Sequence, residues 1–173
     1  LPFVVAPLID ALVERGELEE AGRWPALTGL ESGWPEEFGF TFLLDSLARL
    51  RLAQGRAHDA LLLARECARR QRAWGIRNPG FVAYASTLAA ALAATGRTSE
   101  ALDACDEQID LARRFGVARE EGMALTALGR ITDDPEPLRV AATVLEHAPL
   151  ERAHALVELG GRDALREALE LAE

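Results

Sequence analysis

The chain has 173 residues, of which 49% are hydrophobic and only 6% aromatic, and it carries a formal net charge of −9. This length suits one domain, residues 1–173, with its own core, and the acidic balance argues against direct nucleic-acid binding, which needs clustered cations. All 19 basic residues are arginine, which excludes chemistry that requires lysine: a P-loop, Schiff-base catalysis and protein kinase activity.

Two helices are predicted at the start of the chain, one over residues 4–15 and one from Glu17 onward. The second is expected to end early, because Pro25 lacks a backbone donor and clashes with the preceding turn inside a helix. Residues 22–35 also hold three glycines and two Trp-Pro pairs. We therefore expect a loop or a short irregular helix over this stretch.

Four longer helices are predicted in the middle of the chain, over about residues 35–54, 58–74, 79–95 and 98–115. Asn78 is expected to cap the third of them, with Pro79 in its first turn, and Thr98 is expected to cap the fourth. The stretch 78–96 carries no charge, yet its alanines and polar residues leave it too weakly apolar for a membrane span. It is expected to form a helix buried in the centre of the fold, with no membrane partner.

Four shorter helices are predicted in the last third of the chain, over about residues 119–130, 138–145, 150–159 and 163–172. The segment from Asp133 to Pro135 marks a stop and a fresh start between the first two. Gly160 and Gly161 separate the last two. The total is about nine or ten helices, so the expected fold class is all-α.

A six-residue phrase occurs three times, at Gly16–Ala21 (GELEEA), Gly55–Ala60 (GRAHDA) and Gly96–Ala101 (GRTSEA), with starts 39 and 41 residues apart. Each glycine is expected to end a helix at positive φ, and each alanine to let the next helix approach closely. This repeat predicts a right-handed superhelical solenoid of antiparallel helix hairpins. The expected hairpins cover approximately residues 4–34, 35–77, 78–117, 118–148 and 149–173.

Stacked hairpins curve, so their inner helices line a concave groove that can take a peptide, another domain or a small inducer. Such a scaffold typically binds rather than catalyses. The sequence also contains no GxGxxG, CxxC, HExxH or GxSxG motif. We therefore expect a protein that is not an enzyme, with no catalytic residues and no cofactor of its own.

Cysteines and histidines are the remaining candidates for a disulfide or a metal site. Cys67 and Cys105 fall at similar places on two repeat-related helices, where two cysteines could form a disulfide or share a metal. Because no second ligand pair is nearby in sequence, we expect two small buried thiols. The expected compartment is therefore reducing and cytoplasmic. His147, Glu151 and His154 have an i, i+4, i+7 spacing that suits metal ligands on one helix. Because a proline interrupts that helix, no metal site is expected.

A candidate interaction patch lies on one predicted helix and the turn after it: Arg65, Arg69, Arg70, Arg72, Trp74 and Arg77. Forked guanidinium donors can grip carboxylates or phosphates. Arginines in the last turns of a helix also complement its dipole, so solvated or intramolecular roles are the alternative. In that alternative Trp74 is a plug between repeats, with Phe115 as its counterpart one repeat later.

Three stretches of the chain resemble a known family: RLRLAQGRAHDALLLARECARRQRAWGIRNPG (49–80), ALAATGRTSEALDACDEQIDLARRFGVARE (91–120) and AATVLEHAPLERAHALVELG (141–160). They look like the tetratricopeptide-like region of large ATP-binding LuxR-type (MalT-like) transcriptional regulators. The segment AWGIRNP at 73–79 is the most specific part. The sequence departs from the family pattern at 22–35 and 160–163.

The resemblance implies a regulatory middle domain cut from a longer polypeptide, and the lack of an initiating methionine favours the same expectation. In that family an ATPase module precedes the repeats and a DNA-binding helix-turn-helix follows them. ATP is then expected only in the N-terminal module, and the expected partners are flanking modules, other protein domains, and a peptide or small inducer. Alternatives from other classes are a free-standing adaptor that assembles proteins and an enzyme with an unfamiliar helical active site.

Overall fold

The chain folds into stacked helices joined by short turns. The computed structural model describes residues 1–27 and 35–172, apart from the side chains of 26 and 27. Within those ranges it contains ten α-helices and no strand, which confirms the predicted all-α class. In chain order the helices are α1 (Pro2–Glu14), α2 (Leu18–Leu27), α3 (Gly39–Ala53), α4 (Ala57–Ala73), α5 (Tyr84–Ala94), α6 (Thr98–Phe115), α7 (Ala118–Thr132), α8 (Pro135–Val144), α9 (Pro149–Leu159) and α10 (Arg162–Ala172).

The helices form two layers. Each odd-numbered helix packs against its even-numbered partner and against the next odd-numbered helix, from α1 through α9. Even-numbered helices do not pack against one another anywhere in the part of the chain that the structure describes. The odd-numbered helices are therefore the inner layer of a solenoid of antiparallel hairpins, and the groove described below lies on their side.

Glycine turns join the two helices of the first hairpins. Gly16, Gly55 and Gly96 have φ of +73°, +72° and +78°, a region that residues with a Cβ rarely adopt. The amide after each glycine donates to the carbonyl five residues earlier, at 2.8, 2.8 and 2.9 Å, as in a Schellman C-cap. The alanine five residues after each glycine is fully buried at the hairpin interface: Ala21, Ala60 and Ala101.

Glycine also permits close packing inside α7. A Cβ placed on Gly122 would lie 2.5 Å from Cδ2 of Leu145, and one on Gly129 would lie 2.6 Å from Cγ of Leu138. Both leucines are buried, one in α8 and one at its C-cap. The two glycines are seven residues apart and so share one helix face. They set how closely α7 approaches α8.

Two predicted boundaries near the start of the chain are wrong. α2 continues through Pro25 to Leu27, because a proline so near the end of a helix removes only one late backbone hydrogen bond. The part of the predicted loop over residues 28–34 lies outside the described residues. α3 begins at Gly39 rather than at Pro35, whose carbonyl instead accepts a hydrogen bond from Nη1 of Arg70 at 2.6 Å.

The helix predicted from Pro79 begins five residues later, at Tyr84. Asn78 does not cap it: its Oδ1 accepts a hydrogen bond from the amide of Gly80 at 2.9 Å and closes a local turn. Thr98 is also not a cap, since it is the first residue of α6 and Arg97 occupies the cap position. Among the described helices none combines the length and apolar character that crossing a membrane requires.

The close approach of α7 and α8 gives a stability test with a matched control. Gly122→Ala is expected to lower the free energy of unfolding by about 1 to 3 kcal/mol, because the new methyl group would overpack the buried Leu145. Gly22→Ala, also inside a helix, meets among the described atoms only Nε2 of Gln54 at 3.4 Å. It should be neutral or stabilising by up to about 1 kcal/mol. Urea unfolding of both variants decides, and equal stability of Gly122→Ala and wild type would contradict the packing described.

Candidate functional site

The concave side of the solenoid carries a groove made of two adjoining cavities. The first, of about 390 Å³, lies between α1, α3, α7 and the turn before α5. The second, of about 420 Å³, lies between α3, α5, α7 and α9. Arg49 and Met123 line both. The inner groove is therefore continuous across all five inner helices.

The first cavity is called the acidic cavity after its polar lining: Asp10, Asp45, Ser46, Arg49, Arg119 and Glu120. Nη2 of Arg49 donates to Oδ2 of Asp10 at 2.9 Å and lies 3.2 Å from Oδ2 of Asp45. The sharing of one guanidinium nitrogen by two carboxylates ties α1 to α3. It also leaves the second oxygen of each carboxylate for other partners.

Those second oxygens are buried and, among the described residues, unpartnered, and so is the buried Nε of Arg49. Oδ1 of Asp10 and Oδ1 of Asp45 accept no hydrogen bond from the described residues, and Asp45 is only 4% exposed. Burial raises the pKa of Asp10, although Arg49 and the hydroxyl of Ser46 partly offset the rise. The cavity therefore holds acceptors whose ionised form is incompletely stabilised within the protein.

A second arginine connects α7 to α9 at the same cavity. Nε of Arg119 donates to Oε1 of Glu151 at 2.8 Å, and its Nη1 lies 3.4 Å from Oε1 of Glu120. Both glutamates are largely buried. Arg119 is therefore already engaged by two acids and has little capacity left to neutralise Asp10 and Asp45.

Aromatic rings form the remaining wall of the acidic cavity. Phe3, Phe42 and Phe81 line it, and the centroids of Phe3 and Phe42 are 5.5 Å apart. Phe38 joins Phe42 to Phe81, with centroids 5.5 and 6.1 Å away. Phe3 and Phe81 remain 60% and 52% exposed, so apolar ring surface is open to an occupant.

The second cavity is called the apolar cavity because most of its lining surface is apolar, although polar and charged residues also line it; its apolar residues are Leu52, Ala90, Met123, Ala127 and Val157. Two of its charged lining residues, Arg130 and Glu158, lie 3.6 Å apart. Nε2 of His154 lies 3.0 Å from Oε2 of Glu14, so side chains of α9 and α1 meet across the groove. The curvature thus brings the first and last inner helices within reach of each other.

Four arginines of the predicted patch line two neighbouring cavities on the outer surface. Arg65, Arg69 and Arg72 line a shallow cavity between α4, α5 and α6 that also contains Glu100, Asp103 and Glu107. Arg77 lies with Arg72 in a neighbouring cavity. Arg65 is 3.5 Å from Glu100. Arg65 and Arg69 are therefore paired with carboxylates of the same chain, and Arg72 and Arg77 line cavities that also contain Glu107.

Trp74 lies apart from those arginines. Its ring centroid is 6.1 Å from that of Phe38, which belongs to the same hairpin, and it is 39% exposed. Phe115, its expected counterpart, is likewise half exposed. Neither ring is therefore a fully buried plug between repeats, and a role of Trp74 in repeat packing stays a prediction.

Glu66 binds two arginines of the predicted patch, Arg69 and Arg70. It accepts hydrogen bonds from Nε of Arg69 at 2.7 Å and from Nε of Arg70 at 2.8 Å. The bond from Arg69 is the main reason that the pKa of Glu66 falls to about 2, against the opposing effect of burial. Arg70 is 4% exposed and also donates to the carbonyl of Pro35. This cluster fixes the chain before α3 onto α4.

The two cysteines lie in different hydrophobic clusters, and His147 and His154 lie in different elements of the fold. Cys67 packs with Leu44 and Val82, whereas Cys105 belongs to another cluster, and both are free thiols. His147 lies in the turn before Pro149 and is almost fully exposed, whereas His154 lies on α9. Among the described residues no group of three or more candidate side chains could hold a metal ion.

Sequence reasoning missed the acidic cavity. Its only local signal is Asp45 with Arg49, an i, i+4 pair inside the leucine-rich helix α3, where charged residues are otherwise out of place. Asp10 and Arg119 lie on other helices, 39 and more residues away from Arg49. Only the stacking of the inner helices brings them together.

The fold is a tetratricopeptide (TPR)-like solenoid of helix hairpins. No family model matches the sequence, and no curated protein matches it. A similar solved structure is the crystal structure of nearly identical TPR-like repeats from a kinesin light chain-like protein of Podosopora anserina. The TM-score is 0.55, with 20% identity over 99% of this chain and 94% of that chain. The similarity confirms the predicted TPR-like repeat, while the relation to LuxR-type regulators stays a prediction.

Thiol reactivity tests the burial of the cysteines. Burial raises the pKa of Cys105 to about 11 and that of Cys67 still further, so neither forms the reactive thiolate at pH 8. The native protein should react with Ellman's reagent only as fast as it unfolds. In 6 M guanidinium both thiols should react at once, and rapid reaction of the native protein would contradict the buried positions.

Replacing Glu66 tests the cluster on α4. Glu66→Gln should lower the free energy of unfolding by about 1 to 3 kcal/mol, because the buried Arg70 loses a charged partner. With a pKa of about 2 against an ordinary 4.5, Glu66 stabilises the fold fully above pH 4.5 and loses this effect as the pH falls toward 2. The variant should therefore lose less stability than wild type over that interval.

Asp110→Asn, at an exposed pair 3.7 Å from Arg114, is the control and should change stability by less than about 0.5 kcal/mol.

Proposed function

We propose that this chain is a non-catalytic sensor and protein-interaction scaffold whose inner groove binds a partner segment or a small inducer. The observation that carries the proposal is the continuous groove, in which buried polar groups and open apolar surface lie side by side. Binding sites typically combine these two features. TPR-like solenoids also present their concave surface to partners.

We further propose that the scaffold belongs to a LuxR-type transcriptional regulator and passes binding on to flanking ATPase and DNA-binding modules. The support is the family resemblance of residues 49–80, 91–120 and 141–160. The inner helices also form an unbroken row from α1 to α9, so a ligand that shifts one of them can bias the next. ATP is needed only in the N-terminal module under this proposal.

A cytoplasmic location is part of the proposal. Cys67 and Cys105 are free and lie in different clusters. Disulfides persist in oxidising compartments, whereas free buried thiols are typical of reducing ones.

Substituting the groove in the full-length polypeptide tests the function. Val157→Arg places a charge in the apolar cavity at a position that is 56% exposed, so folding should survive. We expect at least about a tenfold loss of response to inducer or partner, measured as ATPase rate and DNA affinity. Leu62→Arg, at an exposed site on α4, is the control and should keep the response. Unchanged ATPase activity and DNA affinity after Val157→Arg and after deletion of the whole region would refute the sensor role.

The genomic reading frame separates the regulator from the alternative, a free-standing adaptor that has the same groove. A P-loop encoded upstream and a helix-turn-helix downstream support the regulator. A short reading frame that encodes neither module supports the adaptor, for which co-purification with partner proteins replaces ATPase activity as the measurement.

A further inference from the structure

We propose that the acidic cavity binds the basic side chain, arginine or lysine, of a peptide segment that lies along the inner groove. The inference rests on the proposed function, because it names the chemistry of the partner that the groove receives. Three observations carry it: the charge balance of the cavity, its unpartnered carboxylate oxygens and its open aromatic wall.

The charge balance of the acidic cavity is negative. Among the described residues that line it or pair with its lining, four are carboxylates and two are guanidiniums: Asp10, Asp45, Glu120, Glu151, Arg49 and Arg119. When the acids are ionised, two negative charges are left over in a cleft with apolar walls, where the field is concentrated. A basic side chain reduces this excess, whereas an acidic ligand would increase it.

The unpartnered oxygens identify the two acids of the cavity that lack a full set of hydrogen-bond partners. Oδ1 of Asp45 and Oδ1 of Asp10 are buried acceptors that receive no hydrogen bond within the described ranges 1–27 and 35–172. Buried polar atoms in folded proteins nearly always have a partner. An ammonium carries three donors, a guanidinium five, and neither carries an acceptor. Either group supplies what the two aspartates lack.

The aromatic wall favours an organic cation over a metal ion. Phe3 and Phe81 present exposed ring surface to the cavity, and ring faces attract ammonium and guanidinium groups within about 6 Å. They also cover the aliphatic stem of a long basic side chain. Ca²⁺ and Mg²⁺ instead require six or more close ligands, mainly oxygens, and Arg49 lies between the carboxylates that would have to supply them.

The adjoining apolar cavity indicates that the occupant is longer than one side chain. It shares Arg49 and Met123 with the acidic cavity, so an extended peptide reaches both. The expected recognition pattern is a basic residue in the first cavity and an apolar residue in the second. The net charge of −9 also favours encounter with a basic segment.

Selection from a phage-displayed library of random dodecapeptides tests the pattern on the 173-residue protein. Bound peptides should share an arginine or lysine at a fixed spacing from an apolar residue. The consensus peptide, labelled with fluorescein, is then measured by anisotropy against wild type and variants. Replacement of its basic residue by glutamine should weaken binding by at least about tenfold, as expected for a charge-assisted contact.

Asp45→Asn is the decisive variant. It should weaken the consensus peptide at least about tenfold, and the glutamine peptide should bind this variant nearly as well as the consensus peptide does, because the two changes remove one interaction. Asp110→Asn makes the same chemical change on the exposed face of α6 and should leave binding within about twofold. If thermal unfolding shows that Asp45→Asn does not fold, Phe81→Ala, at an exposed ring, replaces it with the same expected direction.

The outcomes separate the inference from the function on which it rests. Selected peptides that lose binding on Val157→Arg but contain no basic residue, or that bind Asp45→Asn as well as wild type, overturn the inference and leave the scaffold role standing. A free amine such as arginine amide that binds as tightly as the peptide also overturns it, since the site then serves a small cation. Failure of any peptide to bind the groove counts against both.

Discussion

Every hairpin of this chain depends on the one stacked against it, because an amphipathic hairpin alone cannot bury its apolar face. The stacking runs through the inner helices α1, α3, α5, α7 and α9, whereas each outer helix packs only within its hairpin and on the next inner helix in the part that the structure describes. Small residues at the hairpin interfaces keep the helices close. The inner layer is therefore compact, and the groove is the concave result.

The groove collects charged residues that the chain keeps far apart. Asp10 meets Arg49 across 39 residues and Arg119 meets Glu151 across 32. Ionised groups are costly to desolvate, and apolar residues of similar size often stabilise a protein as well or better. Their concentration on the concave side is therefore better explained by binding than by stability. This is why the groove, and not the arginine-rich outer surface, is the candidate site.

The outer arginines have a different role. Arg69 and Arg70 converge on Glu66, and Arg70 also reaches the carbonyl of Pro35. These contacts tie α4 to the segment that enters α3. The arginine patch that is conspicuous in sequence is thus largely matched by carboxylates of the same chain, whereas the four acids of the acidic cavity, which is inconspicuous in sequence, are matched by only two guanidiniums among the described residues.

The sequence by itself determined the features that depend on neighbouring residues. Gly16, Gly55 and Gly96 end helices because positive φ is a local steric matter, and the repeat of that turn predicts the solenoid. Local rules failed where two local structures compete, as at Asn78, whose side chain closes a turn instead of capping a helix.

Only the tertiary structure decided the candidate site. Asp10, Asp45 and Arg119 come from three helices, and no local pattern links them. They meet because the stacked inner helices curve, and that curvature is a sum of packing contacts along the whole chain. The charge balance of the cavity therefore depends on which side chains the stacking brings together, whereas the turns depend only on the residues that form them.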